Sequence, residues 1–302
     1  MVVCAFSDGR SAQLLEAIVS IRAQTTPAFE VLVVIDHNDN LLDWLRAKGL
    51  GVVAVASTGE RGLSGARNTG VGRARGDVVA FLDDDATAAP DWIARLAAAY
   101  DDARVVGVGG GARPNWETDR PRWFPNEFGW VVGCSYRGLP EHPAPVRNFL
   151  GCNMSFRREV LRSTGGFESS LGRIGDRPLG CEETELCIRI GERFPDGRLL
   201  FDPENVVSHR VPSSRARFSY FRRRCYSEGL SKSQVARLVG REAGLASERS
   251  YALRILTTGL ANELLRVPSR NGAAALGRAG AILVGFASTA TGFAVGTLRR
   301  RR

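Results

Sequence analysis

Three consecutive aspartates, Asp83, Asp84 and Asp85, follow the apolar run VVAFL at positions 78–82. Neighbouring carboxylates repel one another, which lowers stability unless a cation lies among them. Oxygen ligands on a short loop suit Mg²⁺ or Mn²⁺, and water and phosphate can fill the other coordination positions. The alternative is a solvated loop that caps the helix starting near Pro90. The three residues leave both explanations open, and the first predicts a clamp for a metal and a diphosphate.

A further acid, Asp36, ends the apolar run VVI at positions 33–35. A carboxylate at the end of a strand can accept hydrogen bonds from a nucleobase N–H or a ribose hydroxyl. Asp and Asn also form local turns with their own backbone, and the residues that follow Asp36 are His, Asn and Asp. A nucleotide contact and a simple turn are therefore both open for Asp36.

Two glutamates, Glu182 and Glu183, open a predicted helix at 182–193. Acids in the first turn favour the helix dipole, which is a sufficient structural reason for them. Because adjacent helical residues point in different directions, one of the two can also face a cleft as a general base. His209 follows the short apolar run at 206–207, and it suits a metal ligand, a hydrogen-bond partner or a structural histidine.

The elements that must position these residues alternate along the first 110 residues. Apolar patterns predict strands at 2–6, 30–35, 52–56, 77–82 and 105–108, and helices at 12–22, 41–48, 63–74 and 90–100. Such alternation is typical of a parallel sheet covered by helices, where ligands bind beyond the carboxyl ends of the strands. We therefore predict an α/β fold with a Rossmann-like, mostly parallel sheet and flanking helices.

The later part of the chain has a different pattern. Residues 114–151 are rich in Pro, Gly and aromatic residues and predict a long loop with short strands. Helices are predicted at 157–164 and from 218 onward, and short strands at 199–201 and 206–207. The run GVGGGA at 107–112 fits a dinucleotide fingerprint, but Pro114 follows where that fingerprint requires a helix. We therefore do not interpret this run as a cofactor loop.

The charge of the chain is uneven. Its 302 residues carry a net charge of +9; residues 205–302 hold 18 Lys or Arg and 4 Glu, or +14, which leaves −5 for residues 1–204. Residues 279–298 contain no charge, and their length of 20 residues is about what a bilayer span needs. Four Gly and four Ser or Thr make this segment only weakly hydrophobic, and its 292–296 part fits GxxxG. Arginines at 270, 278 and 299–302 flank it.

Three placements of this segment are open: in the inner face of a membrane, across the membrane, or packed on a soluble body. The start of the chain does not resemble a secretory signal, so we expect the catalytic part in the cytosol. We therefore favour peripheral or monotopic attachment at the cytoplasmic side of the membrane. Six cysteines without a CxxC pair argue against a disulfide scaffold or a cysteine zinc site.

Taken in order, these features resemble the family 2 glycosyltransferases, which have the GT-A fold. The matching features are the strand ending at Asp36, GARNTG at 65–70, GDVVAFLDDD at 76–85, NMSF at 153–156, GGF at 165–167 and the Glu pair before a helix containing Arg189. Two positions depart from the family pattern: Glu183 replaces an Asp, and His37 stands where a second Asp is common. The Gln-x-x-Arg-Trp signature of processive synthases is absent, so the resemblance implies transfer of one sugar per encounter.

The resemblance implies a donor site for a nucleotide sugar. Asp36 would hold the nucleobase or ribose, and Arg67 would assist near the nucleotide. The same binding site for the nucleotide sugar would include Phe6, at the end of the first strand, together with Asp83 and Asp84.

The resemblance also implies the metal and the base. Asp83 and Asp85 would be the DxD pair, with Asp85 as the direct ligand of Mg²⁺ or Mn²⁺ and His209 as a further ligand. Glu183, or alternatively Glu182, would take the proton of the acceptor hydroxyl, and the reaction would invert the anomeric carbon. Asn153, Trp116 and Trp130 would border the acceptor, although these tryptophans also suit a small satellite core.

The sequence thus predicts a GT-A catalytic domain at 1–212 and a basic helical region at 213–302, with a membrane-associating segment near 273–298. The expected partners are a nucleotide-sugar donor, a glycan or lipid-linked acceptor and an anionic membrane surface, with no nucleic acid. The alternatives are a nucleotidyltransferase on a similar scaffold, or a non-enzymatic binder that uses its basic tail on nucleic acid or membrane. The pattern leaves the sugar, the nucleotide, the acceptor and the oligomeric state open.

Overall fold

The computed structural model describes residues 1–173, 179–240, 244, 255–268 and 272–299. Arg270 and residues 300–302 of the predicted basic flanks lie outside this part of the chain. The chain divides into two compact units: Met1–Arg113 with Pro140–His209, and Pro114–Leu139 with the described residues from Arg210 onward. The domain boundary after residue 212 stays a prediction.

The first unit alternates strands and helices at nearly all the positions that the sequence predicts. Its strands are β1 (Val2–Ala5), β2 (Leu32–Ile35), β3 (Val53–Ala56), β4 (Val78–Asp83), β5 (Ala86–Ala88), β6 (Val105–Trp116), β7 (Ala144–Pro145), β8 (Asn153–Arg157) and β9 (Arg198–Val211), of which β6 and β9 end three and two residues beyond the bounds of this unit. Its helices are α1 (Ser11–Arg22), α2 (Asp39–Ala47), α3 (Leu63–Arg73), α4 (Trp92–Ala99), α5 (Arg158–Ser163) and α6 (Glu182–Arg193).

The strands form one sheet in the order β3-β2-β1-β4-β8-β6-β9-β5, with β7 paired to β9. The pairs among β3, β2, β1 and β4 are parallel, whereas β8 joins β4 and β6 in antiparallel pairs. The predicted α/β architecture is confirmed, and the sheet is mixed because antiparallel strands continue it beyond β4. The parallel register brings the carboxyl ends of β1, β2 and β4 to one edge, where Cys4 pairs with Asp83.

Both faces of the parallel strands are buried. Val3, Val33 and Leu82 lie in one apolar cluster, which includes side chains of α1, α2 and α4. Their neighbours along the strands, Val2 and Phe81 among them, lie in a second cluster with side chains of α3 and α6. Successive strand residues point to opposite faces, so a sheet covered on both sides needs continuous apolar runs such as VVAFL.

The second unit is mainly helical. It contains 3₁₀ turns at Asn126–Val132 and Ser213–Ala216, α7 (Phe218–Leu238), a π-helical turn at Ile255–Gly259, α8 (Leu260–Leu265) and α9 (Gly272–Leu298). Its core is an aromatic cluster that includes Phe124, Phe128 and Phe221. Among the described helices, only α9 has the length and apolar composition that crossing a membrane requires, and buried helices of soluble proteins can meet the same criterion.

Candidate active site

The turn after β4 collects the groups for which the sequence predicts metal binding. Asp83 ends β4, and β5 begins after the two residues Asp84 and Asp85. β5 pairs antiparallel with β9, which puts Ala86 opposite His209. One ligand atom each of Asp83, Asp85 and His209 therefore lies within 4.8 Å of the others. Nε2 of His209 is 3.3 Å from Oδ1 of Asp85. Two carboxylates and an imidazole are a donor set that fits Mg²⁺ or Mn²⁺.

Arg10 supplies positive charge to the same turn. Its Nη1 lies 2.8 Å from Oδ1 of Asp84 and 3.2 Å from Oδ2 of Asp85. Burial raises the pKa of Asp84 to about 7, repulsion from Asp85 adds to this, and Arg10 opposes both effects. The other oxygen of Asp84, Oδ2, is buried without a hydrogen-bond partner. Arg10 therefore offsets part of the repulsion between Asp84 and Asp85.

The sequence-based interpretation did not include Arg10. The available signal is its position in the short 3₁₀ turn Asp8–Arg10 that follows β1, because β1 pairs with β4 and so ends at the same edge of the sheet. Reading that signal requires the strand order, which is a property of the whole sheet.

Arg67 connects the aspartate turn to the start of α6. Its side chain is buried, and it donates hydrogen bonds to Glu182 Oε1 at 2.8 Å, Asp83 Oδ1 at 3.3 Å and the carbonyl of Gly151 at 2.9 Å. Burial acts to lower the pKa of Arg67, but Glu182 and Asp83 outweigh this effect and the pKa is raised. A charged guanidinium therefore holds these carboxylates in place.

The two glutamates of α6 have different surroundings. Glu182 is buried; one oxygen binds Arg67 and the other, Oε2, has no hydrogen-bond partner. Glu183 is partly exposed and accepts a hydrogen bond from the Thr184 hydroxyl at 3.2 Å. A Cβ atom built on Gly151 would lie 3.8 Å from Oε2 of Glu183 and 3.4 Å from Nη2 of Arg67. Glu183 thus presents a carboxylate beside Arg67 with access to solvent, whereas Glu182 is enclosed.

Asp36 lies at the same edge of the sheet, since its N–H donates to the Ala5 carbonyl at 2.8 Å. The side chain is buried and accepts a hydrogen bond from the Gly62 N–H at 3.0 Å, and its other oxygen is 2.8 Å from Nδ1 of His37. Asn38 caps α2 by accepting from the Leu41 N–H. Among the described residues, the Asp36 carboxylate is held by the distant Gly62 N–H and the His37 ring, and not by a turn onto its own backbone. A nucleotide role for Asp36 stays a prediction.

Phe6 and Asn153 also belong to the first unit. Phe6 is partly exposed, and the guanidinium of Arg10 lies 5.6 Å from its ring centre. Asn153 is buried in β8; it accepts from the Trp92 indole at 2.8 Å and donates to the carbonyls of Gly111 and Asn205. These contacts are those of a structural amide, so the predicted acceptor role of Asn153 has no support in them.

Trp116 and Trp130 lie in the second unit and pack against its aromatic core. The Trp116 ring is 5.4 Å from that of Phe124, and its Nε1 is buried without a hydrogen-bond partner. The Trp130 ring is 5.6 Å from Phe128 and lies under the guanidinium of Arg224. The satellite core that the sequence allows for these tryptophans is present, and their acceptor role stays a prediction.

Comparison with known sequences identifies the family. Residues 1–165 match Glycosyl transferase family 2. The chain is 38% identical over 237 residues to glucosyl-dolichyl phosphate glucuronosyltransferase of Haloferax volcanii, covering 77% of this chain and 75% of that protein. The chain belongs to glycosyl transferase family 2. A second relative of this glycosyltransferase is the succinoglycan biosynthesis protein ExoM of Rhizobium meliloti, 27% identical over 261 residues, with 83% of this chain and 76% of ExoM covered.

Solved structures confirm the GT-A fold of this family 2 glycosyltransferase. The mannosyltransferase PcManGT of Pyrobaculum calidifontis, in complex with GDP-Man and Mn²⁺, matches with a TM-score of 0.60 at 18% identity, over 100% of this chain and 87% of that one. GalNAc-T7 with UDP, GalNAc and Mn²⁺ matches with a TM-score of 0.52 at 18% identity, over 77% of this chain and 50% of that one. The match of residues 1–165 to Glycosyl transferase family 2 gives no support to the alternatives of a nucleotidyltransferase and a non-enzymatic binder.

Proposed function

We propose that this glycosyltransferase moves a sugar from a nucleoside diphosphate sugar to a hydroxyl of a lipid-linked or glycan acceptor, with inversion, at the cytoplasmic face of a membrane. The observation behind the proposal is the convergence of Asp83, Asp85 and His209 at one turn, which Arg67 joins to Glu182 at the start of α6. A relative that acts on glucosyl-dolichyl phosphate supports a lipid-linked acceptor.

Asp83, Asp85 and His209 would hold the divalent cation, and the partner-less buried oxygen of Asp84 fits a turn that lacks part of its positive charge. When bound, Mg²⁺ or Mn²⁺ supplies the charge that stabilises a departing nucleoside diphosphate. Arg10 holds Asp84 and Asp85 close together, because its guanidinium contacts both carboxylates. On the donor side, Asp36 and Phe6 would contact the base or ribose.

Glu183 is the proposed general base. Its carboxylate is open to solvent, so it can accept the proton of the acceptor hydroxyl as the oxygen attacks the anomeric carbon. Attack on the face opposite the departing diphosphate inverts that carbon in a single displacement. Glu182 is enclosed and paired with Arg67, so its proposed part is to position Arg67.

Substitutions at the two ends of the site test this division of roles. Glu183→Gln is expected to lower kcat by at least about 100-fold while nucleotide binding in Mn²⁺ is kept, because removing a general base affects the proton transfer. Asp85→Asn is expected to remove the Mn²⁺-dependent thermal stabilisation by a nucleoside diphosphate. Asp101→Asn, an exposed aspartate after α4, is the matched control. Unchanged turnover of both site variants would disprove the proposal.

A further inference from the structure

A cavity of about 320 Å³ in the second unit has an unbalanced charge. It is lined by Arg120, Pro121, Arg122, Phe124, Asn126, Glu263, Arg266 and Arg278. Four arginines against one glutamate give its wall a formal net charge of +3. The volume is many times what a single water molecule needs, so a hydrated or bound anion fits.

The single glutamate is already neutralised by two of the arginines. Glu263 is buried, and its Oε2 is 2.7 Å from Nη2 of Arg278, while its Oε1 is 3.4 Å from Nη1 of Arg266. Nη1 of Arg278 also donates to the carbonyl of Arg122. Glu263 therefore holds two guanidiniums at the cavity and leaves no carboxylate of the wall for the others.

Arg120 and Arg122 are the uncompensated charges. Arg120 donates to the Phe124 carbonyl and to Asn126 Oδ1, both neutral acceptors, and its guanidinium lies 5.7 Å from the Phe124 ring centre. Within the described residues, neither Arg120 nor Arg122 forms an ion pair with a carboxylate. Burial and, to a smaller extent, the positive charge of Arg278 lower the pKa of Arg120, and Glu127, which is paired with Arg137, opposes them only in part.

The helices beside this cavity expose leucines. Leu265, next to Arg266 in the chain, is 79% exposed, and Leu264 is also exposed. Apolar side chains next to cationic groups are typical of protein surfaces that enter the boundary between lipid headgroups and acyl chains.

We propose that this arginine cavity binds the phosphate of an anionic membrane lipid, with Arg120 and Arg122 as its main contacts and the flanking leucines in the acyl region. Guanidiniums pair with phosphate oxygens through two parallel hydrogen bonds, so arginine suits this ligand better than lysine does. The site rests on the proposed membrane attachment and takes no part in the transfer reaction.

The test compares Arg120→Gln/Arg122→Gln with a control of equal charge loss, Arg222→Gln/Arg223→Gln, on exposed positions of α7 outside the cavity. Full-length protein is titrated with phosphatidylcholine vesicles with and without phosphatidic acid. We expect the cavity variant to bind the anionic vesicles at least about tenfold more weakly than the wild type, and the control to stay within about threefold. Neutral vesicles should not distinguish the variants.

Three outcomes overturn the site. If both variants lose the same affinity for the anionic vesicles, the protein is attracted by its overall positive charge and not by this cavity. If the cavity variant loses no affinity, the cavity has no part in membrane binding. Stabilisation of the wild type by sodium phosphate, with no vesicle difference between variants, means a site for free phosphate. Thermal stabilisation by nucleoside diphosphate and Mn²⁺ is measured in parallel; its absence from the wild type would count against the proposed function and not against this site.

Discussion

Arg67 is the residue on which the geometry of the candidate site depends most. It is fully buried beside the rings of Phe81 and Phe167 and joins Glu182 to Asp83. Removing a buried cation that has two carboxylate partners is strongly destabilising, because it leaves the carboxylates without a positive charge nearby. Arg67 therefore acts as a positioning residue for both the metal-binding turn and α6.

Arg67→Ala is expected to lower the free energy of unfolding by about 3–5 kcal/mol, since it leaves the buried Glu182 without a cation. Arg73→Ala, at the exposed end of the same helix α3, should change it by less than about 0.5 kcal/mol. Urea denaturation of the two variants measures the difference. Equal stability of the two would contradict the structural role assigned to Arg67.

Asn153 allows its two interpretations to be separated. Asn153→Ala leaves the buried Trp92 indole and two carbonyls without their partner, which should cost about 2–4 kcal/mol of stability. The KM for the acceptor should stay unchanged in the folded variant. A raised acceptor KM at unchanged stability would instead restore the acceptor role that the sequence motif implies.

Residue types alone leave a metal clamp and a solvated capping loop open for the three aspartates, and the resemblance to the family adds the ligand roles of Asp83, Asp85 and His209. The pairing of Arg10 with Asp84 and Asp85 could not be predicted in this way, since it depends on which strands are neighbours. The same limit applies to Asn153, whose three partners come from different parts of the chain. Contacts between distant segments follow from the sheet order, which local patterns do not contain.

At the scale of elements, periodicity predicts the helices and buried strands well and the length of β6 poorly. The predicted strand at 105–108 continues to Trp116 through a run of glycines. These glycines are needed for close packing: a Cβ atom on Gly109 would collide with Phe149, and one on Gly110 with the Asn205 backbone. A glycine-rich run normally predicts a loop, so the strand was recognisable only from its tertiary neighbours.

Glycines also set the contact between α7 and α9. Gly229 and Gly292 face each other, Gly285 lies against Phe221, and Gly296 lies against Ser233. Because the residue numbers rise in the same direction on both helices, α7 and α9 run parallel. Small residues at such a contact allow the two backbones to approach closely, as in membrane helix pairs.

Gly292→Ala is expected to destabilise the second unit by about 1–3 kcal/mol, since the added Cβ would meet the carbonyl of Tyr226. Gly280→Ala on the same helix is the control, because a Cβ there meets no atom within 4 Å and alanine favours the helix. Thermal melts in a mild detergent compare the two. A Gly292→Ala variant as stable as Gly280→Ala would show that α7 and α9 do not pack as described.

At the scale of the whole molecule, charge and apolar surface are concentrated in the second unit. Residues 205–302 carry +14 against −5 for the rest, and α9 exposes Leu276 and Leu283 seven residues apart on one helix face. Composition alone predicts a membrane-associating segment near 273–298, and that association stays a prediction. Composition does not predict which side chains of α9 are exposed, because that depends on how α9 packs against α7.

Leu276→Glu/Leu283→Glu is expected to move the protein from the membrane to the soluble fraction of cells, since charges on that face oppose insertion into the lipid boundary. Val19→Glu, at an equally exposed apolar position of α1 in the first unit, should leave the distribution unchanged. Quantitative blotting of the two fractions gives the result. Membrane retention of the double variant would contradict attachment through α9.

The proposed reaction requires a divalent cation at Asp83, Asp85 and His209 that meets the diphosphate of a sugar donor there. The most direct measurement is an anomalous difference map, at the manganese edge, of crystals soaked with Mn²⁺ and a nucleoside diphosphate. The account predicts a single strong peak within coordination distance of Asp85 and its neighbours, bridged to the diphosphate. A nucleotide bound elsewhere, with no manganese peak at this turn, would contradict it.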